Sequence, residues 1–287
     1  MSYQNQQAYF TTYTDRTRLF YQQWNAEKPR KNFNVVIHHG YGEHSGRYRN
    51  VLDAFEGSGC TFYGLDARGH GRSNGLLGHA ESIQQMADDL HSFLLFLREN
   101  HGVEKPVIIA HSMGGLIALQ SLLDEERQQM LRGLVANGSA LKVNLTAAMK
   151  IKLAIGRMLA SLAPKLRLPA GLELKFLSND QAVIEAYKRD PLVHDQLSTT
   201  LGLAIYDGGN FVLENGAKIK LPILLTHGAA DGLIPASGTE ELYEIISSTD
   251  KTLKVYEGLY HEVYNEPADM RKQAMEDLRK WVLDHLS

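Results

Sequence analysis

Cysteine is almost missing from this chain. A single Cys60 excludes an intrachain disulfide and any zinc site built on thiolates. Long apolar runs are missing too, and no stretch reaches the roughly 18 residues that a bilayer-crossing helix needs. Neither sign of charge prevails: 30 Lys+Arg against 33 Asp+Glu leave a net charge of −3. A basic surface for nucleic acid is therefore not expected. The first residues, MSYQNQQAYF, lack the apolar segment of a secretory leader. No Gly-x-Gly-x-x-Gly or Gly-Lys-Ser/Thr loop marks a nucleotide. The glycine-rich stretch Asp66–Ser73 is expected instead to be a tight turn in which Asp66 and Arg68 tie loops together. These absences lead to the expectation of a soluble cytoplasmic protein with no cofactor, no metal and no indicated protein partner.

What is present is a globular balance, 44% apolar and 22% charged over 287 residues. That length suits one large domain, or a domain with an insertion. Near-continuous apolar runs at Val35–His38, Thr61–Leu65, Val107–Ala110, Gly133–Asn137, Ile223–Thr226 and Leu253–Tyr256 read as strands buried on both faces. Helical patterns lie between them, at Arg49–Phe55, Ile83–Glu99, Gly114–Asp124, Ser237–Ser247 and Asp269–His285. In Ile83–Glu99, Ile83, Met86, Leu90, Phe93, Leu94 and Leu97 recur at three- and four-residue steps, as one buried helix face requires. The alternation predicts an α/β protein with a mostly parallel sheet. Ala8–Thr12 and Leu19–Trp24, split by Tyr13–Arg16, predict an antiparallel hairpin at the sheet edge.

The alternation stops after Gly138 and resumes at Leu221-Pro222. Residues 142–220 carry helix patterns and no defensible strand. They predict a helical cap inserted between core segments 1–141 and 221–287. The first part, Lys142–Arg167, has six basic residues and no acidic one. There Ala148, Ile151, Ile155, Met158, Leu159 and Leu162 share one helical face. Such a face either packs on the core or meets a lipid surface.

Chemistry concentrates at four places. In Val107–Gly115 an apolar strand runs into Ala-His-Ser-Met-Gly-Gly and then a helix. This is a nucleophile elbow: a strained turn lifts the Ser112 hydroxyl above the sheet edge, and small residues two before and two after relieve the crowding. Ala110 stands where Gly is usual. The N–H of Met113, at the helix start, can stabilise an oxyanion. A serine hydroxyl needs a base. His261, just past the last strand, fits that role, with Asp231 after the preceding strand as its carboxylate. The order Ser112, Asp231, His261 is that of α/β-hydrolases. His39-Gly40-Tyr41 follows the third strand, and the N–H of Tyr41 would complete the oxyanion hole. A metal held by His38, His39 and His44 is disfavoured, because neighbours on a strand point to opposite faces.

These stretches resemble the monoacylglycerol lipase / lysophospholipase branch of the α/β-hydrolases. The matching pieces are His39–Tyr48, Asp66–Ser73, His111–Gly115, Asp190–Leu192, His227–Asp231 and Lys251–His261, spread in order over nearly the whole chain. The resemblance implies an α/β-hydrolase fold with an inserted helical cap. It implies the same triad, Ser112, Asp231 and His261, and the same oxyanion donors, Tyr41 and Met113. It also implies a polar site for a glycerol head at Glu43, Arg47 and Tyr187; the alternative for Glu43 and Arg47 is a structural ion pair. The implied reaction is hydrolysis of lipid monoesters, foremost monoacylglycerols, with lysophospholipase or broad carboxylesterase activity as alternatives. A hydrolase-fold binding protein without activity is disfavoured, because no triad member is missing. The lipid ester is the implied partner, with transient membrane contact through the cap. The cap is the least similar part, so acyl-chain preference does not carry over.

Overall fold

The computed structural model describes residues 3–143 and 147–287, with side chains of the helix at 147–162 described from residue 153 onward. The chain opens with the hairpin β1 (Tyr3–Thr11) and β2 (Arg18–Ala26), paired antiparallel. Alternation follows: β3 (Asn34–His38), α1 (Arg49–Ala54), β4 (Thr61–Leu65), α2 (Ile83–His101), β5 (Val107–His111), α3 (Met113–Ser121), a short α4 (Glu125–Gln128) and β6 (Gly133–Asn137). The chain then leaves the main sheet through α5 (Ala147–Leu162), β7 (Arg167–Pro169), α6 (Gln181–Arg189), β8 (Gln196–Ser198) and α7 (Thr199–Asn215). It returns with β9 (Ile223–Gly228), α8 (Ser237–Ile245), β10 (Lys251–Tyr256) and α9 (Lys272–Leu286).

Eight strands form one sheet in the order β1-β2-β4-β3-β5-β6-β9-β10. The six from β4 to β10 run parallel, and the hairpin caps one edge antiparallel. Successive residues of the central strands serve opposite faces. Val36, Ile108 and Leu134 pack under α2, α3 and α8, whereas Val35, Ile109 and Val135 pack under α1 and α9. Burial on both faces is why these strands read as unbroken apolar runs. α2 starts at Ser82, whose hydroxyl accepts the Gln85 N–H, and ends at Gly102 with a left-handed φ of 65°. Among the described residues no helix is long and apolar enough to cross a membrane.

The segment between β6 and β9 departs from the sequence reading in two ways. It contains strands: β7 and β8 pair antiparallel as a separate ribbon. Three residues per strand are too few to show alternation. Contacts with the core hold the ribbon: Ser198 N–H donates to the Gly78 carbonyl at 2.9 Å, and His194 N–H to that of Gly42 at 2.9 Å. Moreover, α7 belongs to the main core, with Leu201, Val212 and Leu213 buried in the cluster that α2 and α3 share. The apolar face of α5 is not buried where it is described. Ile155, Met158 and Leu162 are 48%, 55% and 75% exposed. Ala148 and Ile151 of that face have side chains outside the described residues.

Candidate active site

All the segments singled out for chemistry leave the carboxyl ends of parallel strands, where open α/β sheets place their sites. Ser112, between β5 and α3, has φ 53° and ψ −117°, a positive-φ conformation that a side chain resists. Its glycine neighbours make room for it. A Cβ on Gly114 would lie 2.4 Å from the His39 carbonyl oxygen, and one on Gly115 would lie 2.2 Å from Ser139 Oγ. Ala110, by contrast, sits in the core between β3 and β6 without distorting either pairing. The turn is fastened by the Ser112 N–H to the Asn137 carbonyl at 2.9 Å and by the Ala140 N–H to the Ser112 carbonyl at 3.1 Å.

The loops after β9 and β10 bring the other two residues to the hydroxyl. His261 Nε2 lies 3.0 Å from Ser112 Oγ, and His261 Nδ1 lies 2.6 Å from Asp231 Oδ2. Asp231 is buried, and burial alone would raise its pKa. His261, His227 and the backbone N–H groups of Leu233 and Ile234 instead hold it well below the usual carboxylate range. Burial opposes a charged His261, yet the adjacent Asp231 carboxylate outweighs it and raises that pKa. The N–H groups of Tyr41 and Met113 have no hydrogen-bond partner among the described residues, and both residues line the cavity above Ser112.

That cavity has a volume of about 360 Å³. Its lining is mixed: Val143, Leu197, Ile205 and Leu233 supply apolar surface, and Glu43, Tyr187, His111 and Glu262 supply polar groups. Tyr187 is three residues before Asp190-Pro191-Leu192, at the end of α6, and its ring lies over the Arg47 guanidinium at 4.7 Å. Arg47 does not itself line the cavity. It sits behind the wall, bound to Glu43 Oε2 at 2.6 Å and to both oxygens of Glu262 at 2.5 and 2.9 Å. Glu43 Oε1 also accepts the Gly40 N–H at 2.7 Å and the Tyr48 hydroxyl at 3.1 Å. Burial disfavours the Glu43 carboxylate, but the neighbouring guanidinium outweighs it and lowers the pKa.

Glu262, His111 and Asn137 are site residues that the sequence reading left without a role. Asn137 Nδ2 donates to His111 Nδ1 at 3.0 Å, and Asn137 Oδ1 accepts the Thr226 hydroxyl at 3.0 Å. The His111 ring packs on the His261 ring, centroids 4.6 Å apart, and burial lowers its pKa to about 4. Glu262 immediately follows His261 in sequence, which was its only signal. Glu43, His111 and Glu262 bring ligand atoms within 4.8 Å of one another. Both carboxylates there already accept from Arg47, so a cation would have to displace a guanidinium.

Residues 29–268 match the serine aminopeptidase S33 family. A monoacylglycerol lipase of Mycolicibacterium smegmatis is 33% identical over 272 residues, covering 94% of each chain. A crystal structure of a Paleococcus ferrophilus monoacylglycerol lipase superposes with a TM-score of 0.80 at 31% identity, covering 98% of this chain and 99% of that one. A soluble variant of the Saccharomyces cerevisiae monoglyceride lipase, at 23% identity, shares the fold with a TM-score of 0.85 over 98% of this chain and 95% of its own. The chain is therefore a hydrolase of α/β-hydrolase fold that belongs to the serine aminopeptidase S33 family.

Proposed function

We propose that the protein is a serine carboxylic ester hydrolase of lipid monoesters, monoacylglycerols foremost. The observation that carries this reading is the linkage Ser112–His261–Asp231, at 3.0 and 2.6 Å, under a cavity lined by both apolar and polar side chains. Ser112 Oγ attacks the ester carbonyl carbon as His261 Nε2 takes its proton. The N–H groups of Tyr41 and Met113 hold the oxyanion. His261 then protonates the leaving glycerol oxygen, and water activated by His261 releases the fatty acid from Ser112.

The apolar lining accepts the acyl chain, and the polar groups the alcohol. Glu43 and the Tyr187 hydroxyl face the head group, while Arg47 acts from behind by fixing Glu43. Two carboxylates, Glu43 and Glu262, share one guanidinium there. That excess of negative charge disfavours a phosphodiester head and accepts a neutral diol, which favours monoacylglycerols over lysophospholipids. The part of residues 142–220 that precedes α7 acts as the cap: the 190–198 stretch anchors it, and its exposed apolar face at Ile155, Met158 and Leu162 contacts lipid. The test is a panel of monoacylglycerols, lysophospholipids, p-nitrophenyl esters and an aminoacyl p-nitroanilide, with Ser112→Ala alongside. Turnover of monoacylglycerols that Ser112→Ala abolishes is expected. No ester turnover, or turnover that survives Ser112→Ala, overturns the proposal.

A further inference from the structure

One buried imidazole next to the triad has no part in the chemistry above. His227 lies on β9, four residues before Asp231, and both side chains are essentially shut from solvent. Its Nε2 faces two acceptors: Asp231 Oδ2 at 3.1 Å and the Ile234 carbonyl at 3.0 Å. Neither acceptor can supply a hydrogen, so the proton is on Nε2. The lone pair of Nδ1 then takes the hydroxyl hydrogen of Thr239, 2.7 Å away on α8. A single hydroxyl at the start of α8 thereby fixes the tautomer of His227. His227 in turn holds the carboxylate oxygen that receives His261 Nδ1–H. Asp231 Oδ1 is held separately by the N–H groups of Leu233 and Ile234, at 2.8 and 2.9 Å.

We infer that His227 is a positioning residue for the reaction, a second imidazole that donates to Asp231 Oδ2 and sets its direction and basicity toward His261, with Thr239 locking it in the donating tautomer. The inference rests on the serine-hydrolase reading of Ser112, Asp231 and His261. A purely structural His227 would fill space between β9 and α8. The donor role has a consequence that packing lacks. Oδ2 shares its negative charge between two N–H donors, so His227 tempers the pull of Asp231 on the His261 proton. Removing that donor leaves a more basic, less well-aimed carboxylate. The His261 pKa then rises, and the acid limb of kcat/KM moves up in pH.

The experiment compares the full chain with His227→Leu, His227→Gln, Thr239→Val and Ser112→Ala. Hydrolysis of p-nitrophenyl butyrate is followed from about pH 5 to 9; rates are referred to sites titrated with a fluorophosphonate, and for Ser112→Ala to protein concentration. His227→Leu is expected to lose about 10-fold in kcat, with an acid limb raised by roughly half to one pH unit. His227→Gln, whose amide N–H reaches the Nε2 position, is expected to recover most of both. Thr239→Val is expected to shift the limb in the same direction by less, and it carries the test should His227→Leu fail to fold. An unmoved acid limb in Thr239→Val and His227→Leu overturns the inference, as does a loss in His227→Gln equal to that in His227→Leu. If wild type and Ser112→Ala turn over alike, the serine-hydrolase reading itself fails, which separates that failure from this one.

Discussion

Ser112 shows how much geometry a serine held at positive φ between a strand and a helix requires. Its positive φ is tolerated because Gly114 and Gly115 let the backbone pass within van der Waals reach of β3 and of Ser139. Alanine at position 112 keeps that backbone and removes only the hydroxyl. Turnover is expected to fall by about 10⁴–10⁶-fold, while the thermal melt stays near that of the wild type; a calorimetric scan beside the rate assay checks both. His261 gives the pH dependence. Its pKa is raised, because Asp231 outweighs the burial that opposes the charged ring. A base must be neutral to accept the Ser112 proton, so kcat/KM is lost as pH falls through that raised value. Stability has the opposite sign. A folded-state pKa above the unfolded one gives stability that is complete below the unfolded value of about 6.5 and is lost as pH rises through the folded value. The His261–Asp231 pair therefore stabilises the fold most where the protein is least active. Parallel rate and denaturant-unfolding measurements across about pH 5 to 9 test this; an acid limb well below 6.5 would contradict it.

At the scale of elements, side chains and tight glycines fasten the pieces together. Arg68, in the turn after β4, donates to both oxygens of Asp89 on α2 at 2.5 and 2.6 Å, and to Asp15 in the hairpin turn at 2.9 Å. Burial raises the Asp89 pKa to about 6 even beside that guanidinium. Arg68→Ala would leave Asp89 buried without a partner, at a cost of about 3–5 kcal/mol in urea unfolding. Arg68→Met with Asp89→Leu is expected to recover much of it. Gly78 fastens the ribbon: with φ at +65°, a Cβ there would lie 1.6 Å from the Gln196 carbonyl oxygen. Gly78→Ala must push the 190–198 stretch off the core, so a fall in both activity and melting temperature is expected. The central strands were legible because burial on both faces leaves an unbroken apolar run, and the order Ser112, Asp231, His261 was legible because each follows a strand end. The ribbon was not, since its pairing depends on carbonyls at Gly42 and Gly78 far away in sequence. Nor was the second partner of Arg47. Glu43 and Arg47 are four residues apart and readable as a pair, but Glu262 is 215 residues away. Only the fold reveals that Arg47 supports the cavity wall from behind.

Across the whole molecule, exposed apolar side chains are unevenly distributed. Of the eleven large hydrophobic residues left exposed among the described residues, seven lie between Ile155 and Phe211, in the segment that follows β6. One of these, Leu172, also lines the cavity, so the apolar surface continues to the site where an acyl chain would enter. Basic residues flank it: Lys165 and Arg167 are exposed beside Leu162, Leu166 and Leu168, and Arg157, beside Met158, is exposed but ion-paired with Asp207 at 2.8 Å. Apolar side chains rimmed by cations suit the interface of an anionic bilayer. Burying Met158 and Leu162 there would contribute on the order of 1–2 kcal/mol each, and together about 30- to 1,000-fold in partitioning. Met158→Glu with Leu162→Glu is therefore expected to cut co-sedimentation with anionic phospholipid vesicles at least 10-fold. Hydrolysis of monoacylglycerol presented in those vesicles should fall with it. Hydrolysis of dissolved p-nitrophenyl butyrate should stay within about 2-fold, because neither residue reaches Ser112, His261 or Asp231. The contrast between the two substrates is the decisive measurement. Equal losses on both would mean that the substitutions disturb the fold of α5 against α7, and equal vesicle binding would leave the apolar face without a role in lipid contact. Raising the salt concentration should weaken binding of the wild type by screening Lys165 and Arg167 while leaving the apolar share intact, which separates the two forces on the same surface.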